Sequence, residues 1–91
     1  MKRGMMDRAV TPLVSLDTLP IGGRARIVLI QGGRNLHRRL MGLGLRLGSE
    51  VEVLHHRGRG VVIACAGSRV ALGGGVAEKL LIESLPPKQD F

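Results

Sequence analysis

The chain has 91 residues, 44% of them hydrophobic, with no Trp or Tyr and one Phe, Phe91. That composition supports one small domain with a core of Val, Leu, Ile and Ala, and it excludes a second core or a large active-site cleft. Fourteen Lys and Arg against seven Asp and Glu give a net charge of +7, which points to anionic partners: nucleic acid, phospholipid or an acidic protein face.

The surplus of charge is mostly in the folded part, because residues 15–84 hold ten basic and five acidic groups. A single cysteine, Cys65, excludes an intrachain disulfide and a multi-cysteine zinc site, and fits a reducing cytoplasm. The N-terminus is basic, carries Asp7 and lacks the apolar stretch of a signal peptide, so the protein is expected to stay inside the cell. The longest purely apolar run, residues 61–66, is far short of a membrane span, so any membrane role has to come through a partner.

Residues 1–12 show no periodicity and read as a loose lead-in to a domain covering 13–84. Leu13, Leu16 and Leu19 form a short hydrophobic flap before Pro20 and Gly22-Gly23. Residues 24–31 form the first strand, with Ala25, Ile27 and Leu29 on one parity and Val28 and Ile30 on the other. Apolar residues on both parities predict a bulge or a strand covered on each side, a device that curves a sheet into a barrel. Gly32-Gly33 turn into a helix capped by Gly33 or Asn35, with Leu36, Leu40 and Leu43 on its buried stripe.

Gly44 is the expected left-handed helix stop, which drops Leu45 back onto Leu40. After Gly48 the alternation of Glu50, Val51, Glu52 and Val53 predicts a half-buried strand over residues 49–55. A hairpin through His56-Arg57-Gly58-Arg59 leads to a strand at 60–66, and a turn at Gly67-Ser68 leads to another at 69–72. Gly73 to Gly75 make a sharp turn, residues 76–79 one helical turn, and 80–83 the last strand. Pro86-Pro87 end regular structure, leaving 85–91 as a loose tail. The total is a mainly β domain of five strands and two helical pieces.

The residues Leu16 and Leu19, then GGRARIVLI, RRLMGLGLRLGSEVEVL, SRVALG and VAEKLLIE, together resemble the FeoA domain. The resemblance covers residues 13–84 and is strongest in RRLMGLGLRLGSEVEVL. It implies an SH3-like five-stranded β-barrel and a cytoplasmic accessory protein of bacterial ferrous iron uptake without enzymatic activity. The implied partner is FeoB, a membrane protein with a cytoplasmic GTPase domain that moves Fe(II). The same fold closes some iron-dependent repressors, but 91 residues leave no room for their DNA-binding domain, so a stand-alone module is expected. Leu47 stands where relatives often have proline, the HHRGRG connection is short, and Gly73 to Gly75 replace a polar loop. These departures make the partner contacts of this chain its own question.

The chemistry-bearing residues support binding over catalysis. Ser15, Ser49, Ser68 and Ser84 have no base beside them in the sequence pattern, and Glu50 and Glu52 face outward together. GGGVAEK lacks the rest of a phosphate loop. No cofactor is expected beyond a low-affinity Fe(II) or other transition-metal contact, for which His37, His55, His56 and Cys65 are the candidate ligands. Strand parity puts His55 with Val51 and Val53 toward the core and His56 with the glutamates, so the two cannot share an ion. Cys65 shares parity with Val61 and Ile63 and reads as a small core residue.

The partner-binding candidates are Arg34, Arg38, Arg39, Leu45 and Leu47, on the outer helix face and the corner after it. Self-association is a further expectation for so small a module. The competing reading is a small nucleic-acid-binding barrel. It has the charge but lacks aromatic stacking platforms.

Overall fold

The computed structural model describes residues 13–86, and the expectations for residues 1–12 and 87–91 lie outside them. Six strands form one antiparallel sheet: β1 (Val14–Ser15), β2 (Arg24–Ile30), β3 (Glu50–Arg57), β4 (Gly60–Cys65), β5 (Ser68–Leu72) and β6 (Leu80–Leu85). The spatial order is β1-β6-β2-β3-β4-β5. Helix α1 (Arg34–Gly42) follows β2, the single turn α2 (Gly74–Ala77) precedes β6, and a 3-10 turn (Leu16–Thr18) follows β1.

This is the SH3-like arrangement expected from the sequence, with two differences. A sixth strand is present, because Val14 and Ser15 pair with Ile82 and Leu81 within the segment read as a flap. The sheet also stays open, with β1 and β5 as its edges. Most boundaries fall within a residue or two of the expected ones. β6 runs through Leu85, two residues beyond the expected end of the last strand, and the Pro86 carbonyl accepts a hydrogen bond from Arg24 at 3.1 Å.

Alternation supplies the core. Ala25 and Ile27, Val51 and Val53, Val61 and Ile63, Val70 and Leu72, and Leu80 and Ile82 are all buried, each pair two residues apart on its strand. Leu16 and Leu19 close one side, and Leu40 and Leu45 the other. Two bulges alter the phase. Between Ile27 and Leu29 the β2–β6 register shifts by one, so Ile30 is buried and Leu29 turns outward. Between Val53 and His55 the β3–β4 register shifts likewise.

Gly60 marks a close approach of backbones. A Cβ there would lie 2.5 Å from the Leu72 carbonyl oxygen and 3.3 Å from Gly73 Cα, so β4 can start beside the end of β5 only as glycine.

Candidate functional site

The corner between α1 and β3 is built by its own backbone hydrogen bonds. Gly44 adopts φ +86°. Its N–H donates to the Met41 carbonyl at 3.0 Å, and the Leu45 N–H donates to the Leu40 carbonyl at 2.8 Å. Those two bonds satisfy carbonyls that the last helical turn leaves unpaired, and they fold Leu45 under the helix. Leu45 is 1% exposed. Burying such a side chain stabilises by roughly 1.5–3 kcal/mol, so Leu45 holds the corner in place from beneath.

Arg46 and Ser49 close the next turn: the Arg46 N–H donates to the Ser49 hydroxyl at 3.0 Å, and the Ser49 N–H to the Arg46 carbonyl at 3.0 Å. The Gly48 N–H donates to the Ile27 carbonyl at 2.7 Å, tying the turn to β2. Leu47 is thereby held on the outside, 54% exposed.

Two open grooves flank Arg46. One, of about 430 Å³, runs from Met41 and Gly44 past Ser49 and Glu50 to Cys65 and Ala66. The other, of about 330 Å³, is lined by Ile30, His37, Met41, Leu45, Arg46 and Leu47. Met41 belongs to both and is 69% exposed. An apolar surface therefore spans Met41 and Leu47 with Arg46 between its halves.

Helix geometry divides the five expected partner-binding residues. At about 100° per residue, Arg34, His37, Arg38 and Met41 fall on one side of α1. Arg39 falls on the other side with Leu43, and both line a narrow cleft against Ala71, Leu72 and Gly73. Leu43, expected on the buried stripe, is 47% exposed. The surface at the corner thus gathers Arg34, Arg38 and Leu47, leaves Arg39 on the far flank, and buries Leu45. Met41 and Arg46 were not singled out from the sequence. The signal for Met41 was its spacing of seven from Arg34, hidden by its hydrophobic character.

Among the described residues the ion pairs are made by arginines other than those at this surface. Across the outer face of the sheet, Arg26 pairs with Glu50 at 3.3 Å and with Glu83 at 3.8 Å, and Arg24 with Glu50 at 3.4 Å. The register accounts for this, since Arg26 lies opposite Glu50 on β3 and Glu83 on β6. Among the described residues the only other ion pair is Arg59 with Glu78 at 3.7 Å. Arg34, Arg38, Arg39 and Arg46 take part in none of these pairs.

The histidines are placed differently from their expected parity. The extra residue Leu54 inverts the faces beyond it, so His56 lies opposite the buried Val61 and His55 opposite Val62. Both are exposed, and His56 reaches over the rim, where its Nε2 lies 2.7 Å from the Leu19 carbonyl oxygen. His37 is far along the chain on α1. Among the described residues no group of three His, Cys, Asp or Glu side chains is placed to hold a metal ion. Cys65 is partly buried, packs against the core and opens onto the first groove. The Ser49 hydroxyl is engaged in its turn, with no histidine among its hydrogen-bond partners.

The fold and the corner define a class: a small open SH3-like sheet with one longer helix and one helical turn, presenting an apolar surface edged by arginines that form no ion pair among the described residues. The FeoA domain family model matches residues 14–84, and the chain belongs to that family. A Methanocaldococcus jannaschii protein, described as a candidate Fe(2+) transport protein A, is 33% identical over 54 residues, which span 59% of this chain and 66% of that protein. A crystal structure of an iron uptake regulatory protein, FeoA, has a TM-score of 0.76 at 31% identity and covers 81% of this chain and 100% of that one. A manganese-dependent transcriptional repressor has the same fold, with a TM-score of 0.76 at 23% identity over 84% of this chain and 44% of the repressor. No helix among the described residues is long and apolar enough to cross a membrane.

Proposed function

We propose that the protein is a non-catalytic cytoplasmic accessory factor of ferrous iron uptake that docks onto the cytoplasmic part of a FeoB-like membrane GTPase and modulates Fe(II) transport. Family membership supplies the pathway. The observation that carries the docking is the grouping of exposed Met41 and Leu47 with Arg34, Arg38 and Arg46, which form no ion pair among the described residues. Exposed apolar side chains flanked by arginines suit a partner segment with an apolar anchor and flanking carboxylates. The apolar pair supplies contact energy, and the arginines steer encounter and fix orientation.

The test is binding of the purified transporter's cytoplasmic domain, measured by calorimetry at low and at physiological salt. Leu47→Asp places a carboxylate in the centre of the surface and is expected to weaken binding at least tenfold with the fold unchanged. Arg34→Ala with Arg38→Ala is expected to slow association and flatten its salt dependence. Absence of binding at low salt, or full binding by Leu47→Asp, refutes the reading.

A further inference from the structure

A second basic surface lies away from the corner, where the β3–β4 hairpin meets the loop before α2. β3 has eight residues and carries the corner at its first end and the hairpin at its last, roughly 23 Å apart at the usual strand rise. Arg57 and Arg59 flank an open groove of about 340 Å³ whose floor includes Gly60, Leu72, Gly73 and Gly74. Arg39 enters from α1, since the cleft it lines shares Ala71, Leu72 and Gly73 with that groove. Three arginines, two from the hairpin and one from α1, thus lie around the shared stretch of residues 71–73.

The surface is firmly built. Gly74 sits so close under the hairpin that a Cβ there would meet the Arg59 Cβ at 2.7 Å, so the stem of Arg59 rests directly on the start of α2. Gly58 provides the hairpin turn at φ +60° and keeps the tip short. Glu78 is the acidic group that pairs here, with Arg59, whose side chain is still 80% exposed. The three arginines against Glu78 leave a surplus of two positive charges, and the exposed Leu43 lies beside Arg39 in the adjoining cleft.

We propose that this surface binds the headgroups of anionic phospholipids, so that the protein rests on the membrane with its hairpin while the corner is free for the transporter. The proposal rests on the docking reading only for what brings the chain to a bilayer. A lipid phosphate suits the site because arginine presents several N–H donors to phosphate oxygens in a fixed fork. A short basic projection with one apolar side chain beside it fits a headgroup layer. Single-stranded nucleic acid fits less well, since the described residues offer no aromatic platform on which bases would stack.

The test is co-sedimentation of the full chain with vesicles of phosphatidylcholine alone and of phosphatidylcholine mixed with phosphatidylglycerol. Binding is expected only to the mixed vesicles and is expected to fall with salt. Each arginine near an anionic surface contributes about fivefold, so Arg57→Ala with Arg59→Ala is expected to lower partitioning about 25-fold. Arg34→Ala with Arg38→Ala, on the transporter side, is expected to change it less than twofold. Glu78→Gln, which removes the one opposing charge, is expected to strengthen it severalfold, a gain that misfolding cannot produce.

Three results overturn the proposal: no binding to the mixed vesicles, equal loss in the two double variants, or a single-stranded RNA that displaces the vesicles through Arg57 and Arg59. Binding of the lipid-free transporter domain is measured in parallel on the same variants. Loss of that binding in the wild-type chain refutes the docking reading alone, whereas vesicle binding reports only on the hairpin.

Discussion

Replacing Gly44 with alanine isolates the cost of the left-handed turn on which the corner depends. The φ of +86° is a conformation that L-residues rarely adopt, and a Cβ added there meets nothing within 4 Å. Packing therefore adds no penalty, and the whole effect is conformational. Holding an L-residue in the left-handed region costs roughly 1–2 kcal/mol, and the stiffer unfolded chain returns roughly 0.4–1 kcal/mol. At the middle of those ranges the net loss is about 0.8 kcal/mol, which at the usual sensitivity of a domain this size lowers Tm by about 3–6 °C. Asparagine tolerates the left-handed region better and is expected to fall between glycine and alanine. The hydrogen bonds to the Met41 and Leu40 carbonyls survive if the turn is kept, so the urea m-value should match the parent's. Thermal and urea unfolding followed by far-UV circular dichroism measures all three. An alanine variant as stable as glycine, or an asparagine variant less stable than alanine, refutes the reasoning.

Gly60→Ala tests the opposite physics. Its φ is ordinary, yet the new Cβ would lie 2.5 Å from the Leu72 carbonyl oxygen. Because that atom is backbone, the β4–β5 pair must part, and a loss of about 2–3 kcal/mol is expected by urea unfolding; a change below 0.5 kcal/mol would show that the strands do not approach so closely. Leu45→Ala and Leu47→Ala separate scaffold from surface. The first empties a fully buried site and is expected to cost about 3 kcal/mol. The second removes a half-exposed side chain and should stay within about 0.5 kcal/mol, and equal losses would place Leu47 in the core.

The parts of the fold legible in the sequence are those set by neighbours along the chain. Gly44 and Leu45 announce the helix cap because a left-handed stop and its hydrophobic return are local events. Gly58 and Gly67 mark their hairpins for the same reason. Apolar residues on both parities of 24–31 left a bulge or a strand covered on each side as the alternatives, and the bulge is found after Ile27. β1 was not legible, since two residues become a strand only through pairing with Ile82 and Leu81 near the other end of the chain. The bulge at Leu54 was equally hidden. Nothing in EVEVLHHR signals an extra residue, and without it strict alternation assigns His55 and His56 to the wrong faces. At the site, the basic side chains were legible, but their division was not. Arg38 and Arg39 are adjacent in sequence and 100° apart on the helix, so they belong to two different surfaces.

The open sheet has a consequence for the protein in concentrated solution. Its edges carry unpaired backbone groups, and an edge strand recruits other strands when it is long, flat and uncharged. β1, at two residues, is too short to act as a template, which leaves β5. In the sequence SRVAL the one charge is Arg69, exposed at the second of the five residues of the edge. Resistance to strand-by-strand aggregation therefore depends largely on a single side chain.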